Sequence, residues 1–336
     1  MVRSRVYAQT VLAQRACAVF FAICLPLWRF CCLTHFPFGS ILGRMILVTG
    51  ADNRLGYEVC RRLRAKGQRV RAWVPRAMPP NRIERLRATG VEFFPAELHN
   101  PAALVAACRD VEAVISTDAA MLPIDPSETF DRECARSLRD FTHILGGLQF
   151  ICVTVPRRFR TKSVLVEERE EYQGCPHANQ TILYANFFME TWLSPGFGFD
   201  YPNARAELLG DGAQRSAMVS YKDVSEVAIR CLGRDGGKVE LALDGPEDLS
   251  QLDVVRLFET ALGRTFAVTH VSADALQAEY DKAPDPVTRA RAALKIEYAR
   301  GCPADGHLSR KRMPLELTSV RNYVSTLTYA APANSA

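Results

Sequence analysis

The pattern of apolar positions changes character at Met45. From there onward, short β-rich apolar runs alternate with amphipathic stretches. Met45–Thr49 (MILVT) reads as a buried parallel strand, because it is apolar on both faces rather than alternating. Past the turn Gly50–Gly56, Leu55, Val59 and Leu63 fall on one helical face, and Gly67 supplies the stop. Arg69–Val74 predicts the second strand. The pattern then predicts strands at Val91–Phe94, Val111–Ser116, Phe150–Val155 and Thr181–Tyr184. Helices are predicted around Pro101–Cys108, Ser127–Leu145 and Phe187–Trp192. Such alternation of strand and helix specifies an α/β fold, a doubly wound parallel sheet of the Rossmann type.

Beyond residue 193 the pattern is less regular. It predicts a helix over Val224–Leu232 capped by Asp223, and one over Leu252–Leu262 opened by Ser250 and Asp253. A helix and loop are expected across 284–313. The chain thus divides into an N-terminal extension (1–44), a dinucleotide-binding core (45–193) and a smaller α+β substrate-side lobe (194–336), partly interleaved with the core.

Charge changes the picture only at the start. The first 44 residues carry five arginines (Arg3, Arg5, Arg15, Arg29, Arg44) and no acid, which accounts for the whole net charge of +5. The remainder is formally neutral, so no basic nucleic-acid face is expected on the folded body. The cluster Arg310–Arg312 is too short to change that. Ala16–Trp28 is an apolar run with an internal proline, shorter than the roughly 18–20 residues that span a bilayer. Three readings are open for the extension: a start set upstream of the domain, an organelle-targeting leader, or weak membrane attachment. The body is expected in the cytoplasm. Of the eleven cysteines, four precede Met45. The others are scattered without CxxC or Cys/His ligand spacing, so reduced, buried thiols are expected and no metal.

The candidate chemistry sits at the first strand-to-helix turn. Gly50 permits a tight turn, Gly56 lets helix pack closely on strand, and the helix N-terminus offers N–H groups to a pyrophosphate. Together with this turn (MILVTGADNRLG), the stretches RVRAWVPR, GVEFFPAELHNPAAL, DVEAVIST and QTILYANFFMETW occur in this order. So do Ala217–Ala228 and Leu241–Ser250. In this ensemble the chain resembles the NmrA-like branch of the atypical short-chain dehydrogenases over about residues 45–325. The resemblance implies NAD(P) binding in either an enzyme or a redox-sensing regulator.

Cofactor contacts are expected from Gly50, Asn53, Arg54, Leu55 and Gly56. Asn53 stands where the family usually has glycine. Asparagine tolerates left-handed backbone angles, but its side chain is expected to crowd the pyrophosphate. The second strand ends Trp73-Val-Pro-Arg76, with no acid before Glu84 to bind a ribose 2′-hydroxyl. Arg76, and Arg54 as a second cation, suit a 2′-phosphate, which favours NADP(H), with NAD(H) as the alternative. By resemblance, Glu97 and Leu98 lie by the adenine, and Ser116 and Thr117 line the ribose and nicotinamide side.

The usual proton-transfer pair is missing, since none of the ten tyrosines is followed by lysine four residues on. Candidates for catalysis are Thr154, the only hydroxyl ending the fifth strand, Lys162, and Tyr172. The plainer reading of Lys162 is a solvated residue and of Tyr172 a packing residue. His99, His143 and His177 have no partner visible in sequence. Asn186, Phe187, Phe188 and Met189 follow the sixth strand, where the crevice of such a sheet opens, and are candidates for the substrate pocket; core packing explains them equally. The expected function is an NADP(H)-dependent oxidoreductase acting on a small carbonyl or quinone-type substrate. The alternative is a non-catalytic dinucleotide sensor that reports to a protein partner.

Overall fold

The computed structural model describes residues 44–76, 78–95, 101–118, 148–174, 179–234, 237–305 and 315–330. Glu97, Leu98, the three histidines above, the helix expected at 127–145, Arg310–Arg312 and the extension before Arg44 lie outside these residues.

A seven-stranded, all-parallel sheet organises the described chain. Its strands are β1 (Met45–Thr49), β2 (Arg69–Val74), β3 (Glu92–Pro95), β4 (Val111–Ser116), β5 (Gln149–Thr154), β6 (Gln180–Ala185) and β10 (Val239–Leu243). They lie in the order β10-β6-β5-β4-β1-β2-β3. The order reverses at β1, so the carboxyl ends of β1 and β4 flank the crevice where such sheets receive ligands. Every residue of β1, β5 and β6 is buried, as their unbroken apolar runs require.

Helices cover both faces. On one side α1 (Arg54–Ala65) lies beside α6 (Tyr221–Arg230), over Ile46, Val48, Ile115 and Val153. On the other, Leu47, Val114, Phe150 and Cys152 meet Tyr172 of α4 (Val164–Gly174) and Ala107 of α3 (Pro101–Ala107). On the α1 side, α2 (Pro80–Arg87) links β2 to β3 and buries Leu86. Arg71 of β2 is buried, and its guanidinium donates to the carbonyls of Ala107 (2.6 Å) and Arg109 (2.9 Å) and to Glu92 (2.6 Å). It thereby caps the C-terminus of α3, where carbonyls lack helical partners.

The second hydrophobic cluster belongs to the lobe. The short helix α5 (Met189–Trp192) leads into it. There β7 (Phe199–Asp200), β8 (Arg205–Leu209) and β12 (Ala267–Val271) form a three-stranded sheet. Against it pack α7 (Gln251–Leu262), α8 (Ala273–Lys282), α9 (Pro286–Arg300) and α10 (Val320–Ala330). The pair β9 (Arg215–Ser216) and β11 (Leu249–Ser250) completes it.

The α7 start has the predicted capping box, with Ser250 and Asp253 bonded reciprocally. The helix expected at Val224–Leu232 instead begins at Tyr221, with Ser220 as its cap. Asp223 lies inside the first turn, where its carboxylate receives Thr318 N (2.7 Å) and Oγ1 (3.1 Å). Among the described residues no helix is long and apolar enough to cross a membrane, and no group of His, Cys, Asp and Glu is arranged to hold a metal.

Candidate active site

The crevice is built first by the turn between β1 and α1. Gly50 adopts φ +67°, which a side chain would strain. A Cβ on Gly56 would lie 2.1 Å from the Gly50 carbonyl oxygen, so only glycine permits this approach of helix to strand. Asn53 departs from expectation. Its φ of −81° is extended rather than left-handed, and it acts as the N-cap of α1. Its Oδ1 accepts from Gly56 N (2.8 Å), while Nδ2 donates to Thr117 Oγ1 (3.2 Å) and the Thr117 carbonyl (3.3 Å). The side chain is therefore folded into the turn. The N–H groups of Arg54 and Leu55, first in the helix, make no hydrogen bond among the described residues. This tight turn with free N–H groups fits a dinucleotide pyrophosphate.

The two arginines separate. Arg76 is exposed just past β2, and no ion pair with an acid is seen for it among the described residues. Arg54, expected beside it, donates instead to the Glu190 carbonyl (3.3 Å), on the α5 side of the crevice. Its place opening α1, beside α6 and α5, aims it away from β2.

Ser116 and Thr117, expected to line the ribose, are fully buried. Thr117 Oγ1 donates to the Thr49 carbonyl (2.8 Å) and ties the end of β4 to that of β1. The group that reaches the crevice is Asp118, which the sequence reading missed. Its Oδ2 accepts from Thr49 Oγ1 and from Ser116 Oγ (3.5 Å), and its Oδ1 comes within 2.9 Å of the position a Cβ on Gly50 would take. The signal was an acid directly after the strand-end Ser-Thr pair.

The catalytic candidates part ways too. Tyr172 is fully buried. Its hydroxyl lies 3.5 Å from Ser116 Oγ and donates to Glu168 Oε1 (3.3 Å). Burial, and then the neighbouring Glu168, hold the phenol well above its ordinary pKa, so it does not ionise as an activated acid would. Thr154 is also fully buried, and its hydroxyl has no hydrogen-bond partner among the described residues. Lys162 is exposed before α4, outside this cluster; its carbonyl receives the Tyr280 hydroxyl (2.9 Å).

The four pocket candidates are core residues. Asn186 donates to Asp244 (2.8 Å) and to the Cys302 carbonyl (3.0 Å), and accepts from Phe187 N (2.8 Å). It thereby joins the ends of β6 and β10 to the segment after α9. Phe187 packs edge-on against Trp192 and Tyr298, Phe188 lies tilted on Tyr221, and Met189 is fully buried. Packing, the alternative reading at that point, accounts for them.

Comparison with known proteins agrees with the turn. The NAD(P)H-binding family matches residues 50–235. A (4-alkanoyl-5-oxo-2,5-dihydrofuran-3-yl)methyl phosphate reductase of Streptomyces griseus is 31% identical over 258 residues, covering 73% of this chain and 84% of the relative. An isoflavone reductase homolog of Zea mays is 26% identical over 280 residues, covering 76% and 86% of the two chains. An NADPH-dependent quinone oxidoreductase of Escherichia coli, solved with NADPH, shares the fold with a TM-score of 0.65 at 18% identity, covering 84% of this chain and 99% of its own. With the glycine turn in place and the match running from Gly50 through α6, the chain belongs to the NAD(P)H-binding reductases of the NmrA-like, atypical short-chain dehydrogenase family.

Proposed function

We propose that the protein is an NADPH-dependent reductase of a small conjugated carbonyl or quinone-type compound. The observation that carries this reading is the pairing of the glycine turn with an exposed Arg76 that has no acid partner among the described residues and follows a strand β2 that ends without an acid. Arg54 N–H, Leu55 N–H and the close approach at Gly56 would hold the pyrophosphate, and Arg76 the 2′-phosphate. When bound, the nicotinamide supplies a hydride. The residues of this chain bind and orient the dinucleotide and keep the strand ends beneath it dry, since Ser116, Thr117 and Thr154 are all fully buried. The substrate class is supported by relatives whose names specify an oxo-dihydrofuran phosphate and a quinone. Hydride transfer to a conjugated carbonyl needs an electrophile and a proton source, not an activated tyrosine.

A panel of quinones, enones and unsaturated lactones, followed by NADPH absorbance, tests the activity, and calorimetry with NADPH and NADH tests the cofactor. Consumption of NADPH with at least one acceptor, and tighter binding of NADPH than NADH, are expected. Tight NADPH binding with no turnover would instead favour the sensor, which the burial of Phe187, Phe188 and Met189 also suits. Equal affinities would overturn the NADP assignment.

A further inference from the structure

The lobe sheet ends in a strand with one side open. β12 pairs in parallel with β8, Val268 standing opposite Ala206 and His270 opposite Leu208. Ala267 N donates to the Ala204 carbonyl and Gly210 N to the Val271 carbonyl, both at 2.9 Å. Along a strand, residues that bond to one side alternate with residues that face the other. Ala267, Thr269 and Val271 therefore turn their N–H and C=O groups to β8, and Val268 and His270 turn theirs away from the sheet. β12 stands last in the order β12-β8-β7, so these outward groups have no strand partner among the described residues. Ala267, Val268, Thr269 and His270 are all exposed, and Val268 and Val105 are the large apolar side chains left so among the described residues.

Sheets usually blunt such an edge with lysine, proline, a bulge or a covering segment. The strand AVTHV has no lysine, proline or acid, and its register with β8 runs without a shift. A second copy of the same strand fits it in one register. Antiparallel pairing about a two-fold axis at Thr269 sets Val268 opposite His270 of the second copy, and His270 opposite that copy's Val268. Each of these two pairs exchanges two hydrogen bonds, so every outward group of both strands is satisfied. An axis at Val268 or at His270 would leave one outward residue of each copy facing a position beyond the other's strand. The Thr269 axis also sets Thr269 against Thr269 and Ala267 against Val271, on the face where Val271 packs on the lobe cluster. Charge agrees with the same axis. Arg264 and Asp274 are equidistant from Thr269 in sequence, so each copy's Arg264 comes to the end of the ribbon where the other's Asp274 opens α8. Neither forms an ion pair among the described residues; Arg264 donates to the Pro202 carbonyl (3.0 Å).

We propose that the protein forms a two-fold dimer through β12, which joins the lobe sheets of two copies into one continuous sheet. The occupant of the open edge is a second copy of this chain, because the strand is complementary to itself in backbone bonds, side-chain pairs and flanking charge. A ribbon this short is small against the roughly 800 Å² that each partner buries in a stable complex. The bonds it makes also replace bonds to water. The dimer therefore dissociates readily, with a dissociation constant on the order of 10–100 μM.

Sedimentation velocity of the full chain from about 5 to 200 μM brackets that range, with hydrogen exchange read by mass spectrometry at both ends of it. The dimer should grow with concentration, and exchange should slow in peptides that hold Val268 and His270. Val268→Pro removes one outward N–H and keeps every inward bond, a change that edge strands tolerate. It should raise the dissociation constant about tenfold or more, since each dimer loses two bonds, with the thermal midpoint of dilute protein unchanged. Asp274→Arg sets like charges together at both ends of the ribbon and should weaken the dimer severalfold at low salt. Adding Arg264→Asp to it should restore the wild-type constant. This charge exchange decides the matter even if Val268→Pro fails to fold. A chain that stays monomeric at about 200 μM overturns the proposal, as does a dimer whose growth leaves the β12 amides exchanging freely. So does a folded Val268→Pro that dimerises as the wild type does, or a double variant no tighter than Asp274→Arg alone. Slow exchange at β12 without any dimer would mean that something other than a second copy occupies the edge, and would overturn it too.

Discussion

Gly56 and the two arginines near the crevice show how much a single position decides here. A Cβ at Gly56 would meet backbone atoms of Gly50 and Ala51, at 2.1, 2.6 and 2.9 Å, and backbone cannot swing aside as a side-chain tip can. Gly56→Ala should therefore cost about 1–3 kcal/mol, the scale of overpacking a tight site. It should also abolish measurable NADPH binding; a thermal melt and a calorimetric titration of the purified variant check both. Arg76 and Arg54 should behave differently. A hydrogen bond to a charged group is worth about 1.5–3 kcal/mol, so Arg76→Ala should weaken NADPH about tenfold or more and leave NADH unchanged. Arg54 reaches the Glu190 carbonyl, so Arg54→Ala should shift both dinucleotides alike. A selective loss of NADPH in Arg54→Ala would restore the role that the sequence suggested for it. At Asn53 the capping bond to Gly56 N and the reach to Thr117 predict that Asn53→Ala costs about 1 kcal/mol in chemical denaturation.

Between elements, the contact of α1 with α6 is tied by Glu226, which receives Arg230 (2.9 Å), Lys66 (3.3 Å) and Arg62 (3.3 Å). Burial would raise its pKa, but the bonds from Arg230 and Lys66 outweigh it and hold the carboxyl below its ordinary range. An acid with a lowered folded pKa stabilises the protein above the unfolded value and loses that contribution as pH falls through the folded one. Denaturation midpoints should thus drop below about pH 4, the ordinary glutamate range, by less in Glu226→Gln than in the wild type; matching acid limbs in the two proteins would remove the clamp from the account. At this scale the sequence was informative where period and burial coincide. The strands read from apolar runs fell within a residue or two of the observed ones, and the Ser250–Asp253 box was legible because capping is local. Asp223 misled, because two caps three residues apart (Ser220 and Asp223) compete, and only the bond from Thr318 N, ninety-five residues away, decides between them. The glycine turn was legible for the same reason as the box. The contacts of Ser116 with Asp118 and Tyr172, and of Tyr172 with Glu168, were not, since they need the end of β4 and the rotation of α4 beneath it, neither of which any local pattern encodes.

Core and lobe are joined through the loop that follows β5, and the whole molecule should register its loss. Glu297 of α9 is 6% exposed and reaches across to that loop. It accepts from Arg160 N (3.0 Å), Thr161 N (2.7 Å) and Thr161 Oγ1 (2.5 Å), while Arg300 holds the same oxygen at 3.2 Å. Arg169 grips the loop from the other side through the carbonyls of Pro156, Arg157 and Phe159. Beyond the apolar contacts of Val155 and Phe159, the loop's backbone is thus fixed by one acid from the lobe and one base from the core helix, just where it leads from Thr154 into α4. Truncating the acid strands two backbone donors and a hydroxyl, and an unsatisfied buried donor costs about 1–3 kcal/mol. Because the loop can recruit water, Glu297→Ala should lose about 2–3 kcal/mol in total, and Glu297→Gln, which keeps an acceptor, about half of that. Urea melts read by tryptophan fluorescence are well placed to check this, since Trp192 lies in the lobe and Trp73 on β2. If the clamp is the joint described, Glu297→Ala should lower the midpoint and separate the lobe transition from that of the core, whereas Glu297→Gln should keep a single one. An unchanged midpoint in Glu297→Ala would mean that the two hydrophobic clusters hold together through their apolar contact alone.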